Sequence, residues 1–111
     1  MIEKVLYDYL SANLDVPVYA DIPKQYPVSY VTIEKTGSGR TDHINRATVA
    51  VQSIAGSMFE AASLNERVKA VMDNAIILPE VASSKLNSDY NYTDTTTKQY
   101  RYQAVYDIVH Y

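Results

Sequence analysis

The apolar residues between positions 57 and 78 recur every three or four residues, a spacing that places them on one face of a helix. This apolar stripe consists of Ala61, Leu64, Val68, Val71, Met72, Ala75 and Ile76. Ser57 and Glu60 have the spacing of a capping box at the start of the helix, and Pro79 marks its end. Because one apolar face requires a covering surface, the pattern predicts that this helix packs on a sheet.

The segments on both sides of this helix alternate between apolar and polar residues, as half-buried strands do. Residues 30–36 and 47–53 predict one hairpin, joined by the glycine-containing residues 37–43. Residues 81–92 and 100–111 predict a second hairpin, joined by residues 93–98. The expected inner face of the first hairpin carries Val31, Ile33, Ala47, Val49 and Val51, and its second, polar face carries Tyr30, Thr32, Glu34, Arg46, Thr48 and Gln52. The polar face indicates that helices cover only one side of the sheet.

The N-terminal segments complete the predicted fold. Residues 2–13 form a helix whose apolar face consists of Ile2, Val5, Leu6, Tyr9 and Leu10. Between residues 15 and 29, Pro17, Pro23 and Pro27 favour an irregular crossing loop, and Val16, Val18 and Tyr19 favour a short edge strand. The order is α-β-β-β-α-β-β, which predicts an α+β fold: a two-layer sandwich of a mainly antiparallel sheet with two helices on one face.

The length of the chain, 111 residues, fits a single domain over residues 1–111. No apolar run approaches the roughly 20 residues that a membrane helix requires, and the N-terminal MIEKVLYDYL is not expected to be an export signal. The absence of cysteine removes disulfides, thiolate nucleophiles and cysteine-based metal sites.

The charge and the aromatic residues bear on possible partners. The net charge of −3 lacks the basic footprint of a nucleic-acid-binding protein, so tight binding to phosphates is not expected. The chain has 11 tyrosines but one phenylalanine and no tryptophan, so most of its aromatic surface carries hydroxyl groups. Tyrosine is enriched at protein interfaces, although tyrosine-rich strands also occur in sheets without partners.

The possible catalytic or ligand-binding motifs are weak. Gly37 and Gly39 lack the third glycine and the following helix of a dinucleotide-binding loop, so a hairpin turn is the better interpretation. Asp42 and His43 fit an exposed polar loop better than an oriented base. The acidic residues lack the spacing of calcium ligands, and the threonines of residues 93–98 fit an exposed hairpin tip. We therefore expect no enzyme activity, no cofactor and no metal site.

Several segments together resemble the small tail terminator or tail completion proteins of long-tailed bacteriophages and prophages of Gram-positive bacteria, also described as minor capsid or minor structural proteins. The resemblance extends over nearly the whole chain. It is carried by residues 30–36 (YVTIEKT), 42–48 (DHINRAT) with Gln52 and Ser53, 61–65 (AASLN), 85–94 (KLNSDYNYTD) and 100–107 (YRYQAVYD). It is one of overall pattern, because none of these segments is a mechanistic motif.

The resemblance implies a helix-and-sheet subunit that assembles into a homo-oligomeric ring, usually a hexamer. Such a ring caps the major tail tube protein and joins it to the head-completion connector, with DNA only as passing cargo and no contact with a membrane. It would be assembled in the cytoplasm of the bacterial host and belong to the virion, in the tail or at the head–tail junction. The family implies contact surfaces and no catalytic residues.

Hairpin tips protrude, so the two predicted tips are the candidate contact surfaces with neighbouring subunits, tube or connector. The candidate contact residues are Arg40, Asp42, His43, Asp94, Thr95, Thr96 and Lys98. Solvated turns without a partner are the alternative for these loops. For the whole chain, the alternatives are a small non-enzymatic protein–protein binding domain, another head-to-tail connector component, or an enzyme of unrecognised type.

Overall fold

The protein folds into two helices and a five-stranded sheet, in a computed structural model that describes residues 1–21, 25 and 27–111. The elements are α1 (Ile2–Asn13), β1 (Val18–Tyr19), β2 (Tyr30–Thr41), β3 (Ile44–Ala55), α2 (Met58–Asp73), β4 (Val81–Asn91) and β5 (Tyr100–His110), with a 3₁₀ turn at Ala75–Ile77 after α2. The predicted α+β fold is confirmed. Pro23, one of the three prolines predicted to shape the crossing loop, lies outside the described residues.

The strands lie in the order β1-β2-β3-β5-β4, and only β1 runs parallel to its neighbour. Residues of the four long strands form rows across the sheet. One such row consists of Lys35, Val49, Tyr106 and Leu86, and another consists of Ile33, Val51, Ala104 and Asp89. Because side chains alternate along each strand, one set of rows faces the helices and the intervening set faces away from them.

The hydrophobic core lies between the sheet and the two helices. The predicted inner residues Val31, Ile33, Ala47, Val49 and Val51 are all buried there, together with Ala104, Tyr106 and Ile108 of β5. The helices contribute Ile2, Leu6, Tyr9 and Leu10 from α1, and Ala61, Leu64, Val68 and Met72 from α2. Period-two and period-3.6 patterns therefore identified most of the core residues.

The predicted second helix is longer than the observed one. Its N-cap is Ser57, whose Oγ accepts a hydrogen bond from the backbone N–H of Glu60 at 3.2 Å. However, α2 ends at Asp73, where the chain tightens into the 3₁₀ turn, well before Pro79. As a result Ile76, predicted to lie on the apolar face, is 58% exposed.

The first hairpin is longer than predicted, and its turn is shorter. Strands β2 and β3 continue to Thr41 and from Ile44, so the predicted loop 37–43 reduces to Asp42 and His43. These two residues have φ values of 51° and 67°, as a two-residue hairpin turn requires, whereas no glycine of the chain has a positive φ. The glycines were therefore the wrong indicator of the turn. A bulge between Lys35 and Gly37 accommodates one extra residue in β2.

The sheet face opposite the helices is not wholly polar, contrary to the prediction. Tyr30 lies on it but is only 3% exposed, and its ring meets that of Tyr19 edge-on at 5.9 Å between centroids. Further along this face, the Gln52 amide donates to Gln103 at 2.8 Å, and Gln103 donates to the hydroxyl of Tyr90 at 2.6 Å. This chain of hydrogen bonds crosses strands β3, β5 and β4.

Candidate functional site

The β2–β3 tip contains three of the predicted contact residues. Arg40, Asp42 and His43 are all exposed, and the Arg40 guanidinium lies 3.4 Å from Nδ1 of His43. Left-handed backbone geometry at Asp42 and His43 makes the turn as short as a hairpin allows. The tip therefore presents a narrow, polar end of the sheet.

The β4–β5 tip contains the other predicted contact residues. Asp94 and Gln99 exchange two backbone hydrogen bonds of 3.1 Å, which close the turn at residues 95–98. The Asp94 carboxylate also accepts from the backbone N–H groups of Thr96 at 3.0 Å and Thr97 at 3.4 Å. These N–H groups, that of Thr96 first, lower the pKa of Asp94. Asp94 therefore organises the turn, while Thr95, Thr96 and Lys98 are exposed on it.

The structure places the two tips at opposite ends of the molecule. On the two neighbouring central strands, Asn45 pairs with His110 and Ala55 pairs with Tyr100. The β2–β3 turn is next to the first pair, and the β4–β5 tip is next to the second. The molecule measures 44 × 25 × 25 Å, so one subunit cannot bring the two groups of predicted residues together. They form two candidate contact surfaces.

The β4–β5 tip is attached firmly to the body of the protein. Arg101 donates from Nε to the carbonyl oxygen of Tyr92 at 2.6 Å, and its guanidinium lies 4.7 Å from the centre of the Tyr92 ring. On the other side of β4, the Met58 sulfur lies 3.3 Å from the Asn91 amide nitrogen and 3.7 Å from the Thr93 hydroxyl. The start of α2 and the base of this tip are therefore in direct contact.

A charged cluster connects β4 to α2 and was not predicted. Lys69 lies 2.7 Å from a carboxylate oxygen of Asp89 and 2.8 Å from one of Glu66. The buried Asn65 amide also donates to Asp89 at 3.0 Å. The hydrogen bond from Lys69, followed by that from Asn65, lowers the pKa of Asp89, and the same bond to Asp89 raises the pKa of Lys69. Spacing in the sequence gives no signal for a contact between residues this far apart.

Within the described residues, the sheet has an open strand edge on each side. There, strand β1 pairs only with Val31 and Thr32 of β2, and β4 is the last strand on the opposite side of the sheet. An unpaired strand edge exposes backbone donors and acceptors to any partner that can extend the sheet. The sequence predicts strands but not their order in the sheet, so it could not reveal which edges are open.

Three of the exposed apolar residues lie at the two ends of α2. Phe59, the single phenylalanine of the chain, is 89% exposed in the first turn, and Ile76 and Ile77 are exposed after the last turn. Single exposed apolar side chains are common on protein surfaces. These residues therefore mark no site by themselves.

The described residues contain no cluster of three or more His, Cys, Asp and Glu side chains that could hold a metal ion. Within the same part of the chain, no helix has the length and apolar character needed to cross a bilayer. The chain matches no known family model, and a search of curated proteins finds no significant match. Its function is therefore inferred from its own residues and geometry.

Proposed function

We propose that this protein is a structural component of a long-tailed bacteriophage or prophage, in which a ring of its copies caps the tail tube and joins it to the head connector. DNA passes through the ring without being held. The protein acts through its surfaces, without a cofactor. The hexameric state and the place in the virion come from the resemblance of its sequence to tail terminator proteins.

The observation that carries the proposal is the position of the two polar tips at opposite ends of the subunit. A joining protein must contact one partner on each side. Subunits that stand side by side, with their strands along the axis of the ring, present all β2–β3 tips on one side and all β4–β5 tips on the other. The tube and the connector then meet chemically different surfaces.

The charge of the chain is compatible with DNA passage. The chain has 13 acidic and 10 basic side chains, and like charges discourage phosphates from adhering to a channel wall. This leads to a further expectation, namely that the channel of the assembled ring is not basic. A ring with a basic channel would contradict it.

The first experiment is to determine the mass in solution by light scattering over a concentration series, followed by negative-stain imaging of any large species. A ring with a central hole supports the proposal. If the protein is monomeric, the same measurement is repeated with purified tail tubes, because some rings close only on their partner. A protein that remains monomeric with tubes present contradicts the ring and favours a small protein-binding domain.

A further inference from the structure

The sheet face opposite the helices contains a hollow of about 590 Å³, at the end nearer the β4–β5 tip. Two neighbouring strands form most of it: Thr32 and Glu34 of β2, and Ala50, Gln52 and Ile54 of β3. These residues lie in three consecutive rows on the same face, because every second residue of a strand points to the same side. The helices pack on the other face, so the hollow opens to the outside of the subunit.

The floor of the hollow is apolar. Ala50 and Ile54 are each 5% exposed, so both lie below the longer side chains around them. Gln52, between them in β3, is half-buried and is held in place by its hydrogen bond to Gln103 at 2.8 Å. Binding sites commonly combine an apolar lining with a few fixed polar groups. The hollow has this composition, and its floor is suited to an aliphatic chain.

Two carboxylates line the end of the hollow away from the tip. Tyr19 of β1 pairs with Thr32 of β2, and the two strands run parallel. Asp21 and Glu34 each follow that pair by two residues, and both line the hollow. Both are exposed, and neither side chain forms an ion pair or hydrogen bond with another described residue. This end of the hollow is therefore anionic and without a bound cation from the described part of the chain.

Among the described residues, Arg101 is the one cation that lines the hollow. It lies in the row of Ile54 at the tip end, four residues and about 13 Å along the strands from the row of Glu34. Its Nη1 donates to Oε1 of Gln99 at 3.0 Å, and its Nε donates to the Tyr92 carbonyl oxygen at 2.6 Å. The guanidinium is therefore bonded on the tip side and pairs with neither carboxylate.

Gln99 connects the hollow to the β4–β5 tip. Its backbone exchanges the two 3.1 Å hydrogen bonds with Asp94 that close the tip. Its side-chain Nε2 donates to the Tyr30 hydroxyl at 3.1 Å, and both residues line the hollow. One residue thus holds the turn and one wall of the hollow together. A protein that docks on the tip therefore lies next to the opening.

We propose that the hollow receives a lysine or arginine side chain of the partner that docks on the β4–β5 tip. The aliphatic stem lies over Ala50 and Ile54 and the cationic group lies beside Asp21 and Glu34, since long basic side chains combine an apolar stem with a charged head. Charge complementarity selects a basic residue, because both unpaired charges of the hollow are negative. This contact rests on the proposed function and names the chemistry of one partner.

A double variant, Asp21→Asn with Glu34→Gln, tests the charge of the hollow. It removes both carboxylates and keeps the side-chain sizes. The partner on the β4–β5 tip is the one, tail tube or connector, whose binding Asp94→Ala weakens. We expect the double variant to bind that partner about tenfold or more weakly and to bind the other as the natural protein does. Its binding should also depend less on salt concentration, because a screened charge contact has been removed.

The matched control removes two carboxylates elsewhere. Asp8→Asn with Glu80→Gln changes the net charge by the same amount at exposed positions of α1 and of the segment before β4. We expect this variant to bind both partners normally. Circular dichroism and urea titration establish that both double variants fold.

A small probe tests the hollow without either partner. Nα-acetyl-lysine amide carries the basic side chain, and Nα-acetyl-norleucine amide carries a similar chain without the ammonium group. We expect the lysine probe to shift the backbone amide NMR signals of Ala50 and Gln52 until saturation, and the norleucine probe to leave them unchanged. Gly39, near the other end of β2, is the internal control. The double variant Asp21→Asn with Glu34→Gln should abolish the shifts.

The contrary results are distinct. Normal binding of both partners by the hollow variant contradicts the proposal, and lysine-probe shifts in that case indicate a site for free amines. Equal weakening by the hollow variant and its control indicates a general charge effect and also contradicts it. Loss of one partner without probe shifts places the contact on the carboxylates outside the hollow, so insertion is wrong. In these cases the proposed function stands, whereas a natural protein that binds neither tubes nor connectors contradicts both.

Discussion

At the scale of single residues, the Tyr106 hydroxyl connects the middle of β5 to α2. The side chain is fully buried, and the hydroxyl donates to Oδ1 of Asp73 at 2.7 Å, with the Lys69 carbonyl oxygen at 3.2 Å. Burial, followed by the adjacent Asp73 carboxylate, raises the pKa of Tyr106 well above its ordinary value of 10.0. The group therefore remains a hydrogen-bond donor throughout the neutral range.

Replacing this hydroxyl tests its contribution to stability. Tyr106→Phe keeps the ring in the core but removes the donor to Asp73, so the free energy of unfolding should fall by about 1–2 kcal/mol. The measurement is a urea titration. Tyr102→Phe is the matched control: Tyr102 lies on the same strand and face but is only half-buried, and its expected change is within about 0.5 kcal/mol. Equal losses in the two variants would contradict a specific role for the Tyr106 hydroxyl.

The charged cluster at Asp89 predicts a dependence of stability on pH. Because Lys69 and Asn65 lower its pKa in the folded protein, ionised Asp89 stabilises the fold above its ordinary value of 3.8, and this stabilisation is lost as the pH falls through the lowered pKa. We expect Asp89→Asn to cost about 1 kcal/mol at neutral pH and progressively less below 3.8. Urea titrations at several pH values measure the difference, and a constant difference would contradict the prediction.

At the scale of elements, the sequence predicted which segments fold but not where each one ends. The periodicity of apolar residues reflects burial on one face, so it identified both helices and all five strands. Gly37 and Gly39 suggested a loop because glycine commonly supplies positive φ, but here both lie in β2. Asn74 ends α2 before the apolar pattern ends, with its amide donating to the Ala70 carbonyl oxygen at 3.2 Å. Such local hydrogen bonds leave no periodic signal.

The short turn of the first hairpin predicts an unusual effect of glycine. His43 adopts a φ of 67°, which is unfavourable for any residue with a Cβ atom, so His43→Gly should stabilise the protein by about 0.5–1 kcal/mol. Gly39→Ala is the control in the adjacent strand, where an added Cβ would meet nothing within 4 Å and where φ is not positive, so no loss of stability is expected. Thermal unfolding measures both variants, and a loss of stability in His43→Gly would contradict the left-handed conformation of His43.

At the scale of the whole molecule, the surfaces available for binding depend on how distant segments pack together. The sequence pattern did not predict this packing. The residues predicted as contacts lie at two tips, where all but Asp94 are exposed, and their role in binding stays a prediction. Their separation, the contact between Lys69 and Asp89, and the position of β1 and β4 at the two edges of the sheet all depend on strand order and register. These are set by packing between distant segments, so no local pattern encodes them.

The separation of the tips predicts that their functions can be lost independently. Asp94→Ala removes the carboxylate that organises one tip, and Arg40→Ala removes a charge next to the other. Each variant should weaken binding to one partner, tail tube or connector, by about tenfold and leave the other partner unaffected. Binding assays with each purified partner test this, with Ser63→Ala on the exposed side of α2 as the control. Loss of the same partner in both tip variants would contradict the assignment of one partner to each end.

The placement of the tips also has a mechanical consequence. The β2–β3 tip leads directly into β3 and the β4–β5 tip leads directly into β5, and these two strands are neighbours joined over 11 residue pairs. Tension between the tips would pull β3 and β5 past each other along their length. The hydrogen bonds between them would then bear the load together instead of opening one after another from an end. A subunit connecting two parts of a particle would resist being pulled apart most strongly along the direction in which that particle transmits force.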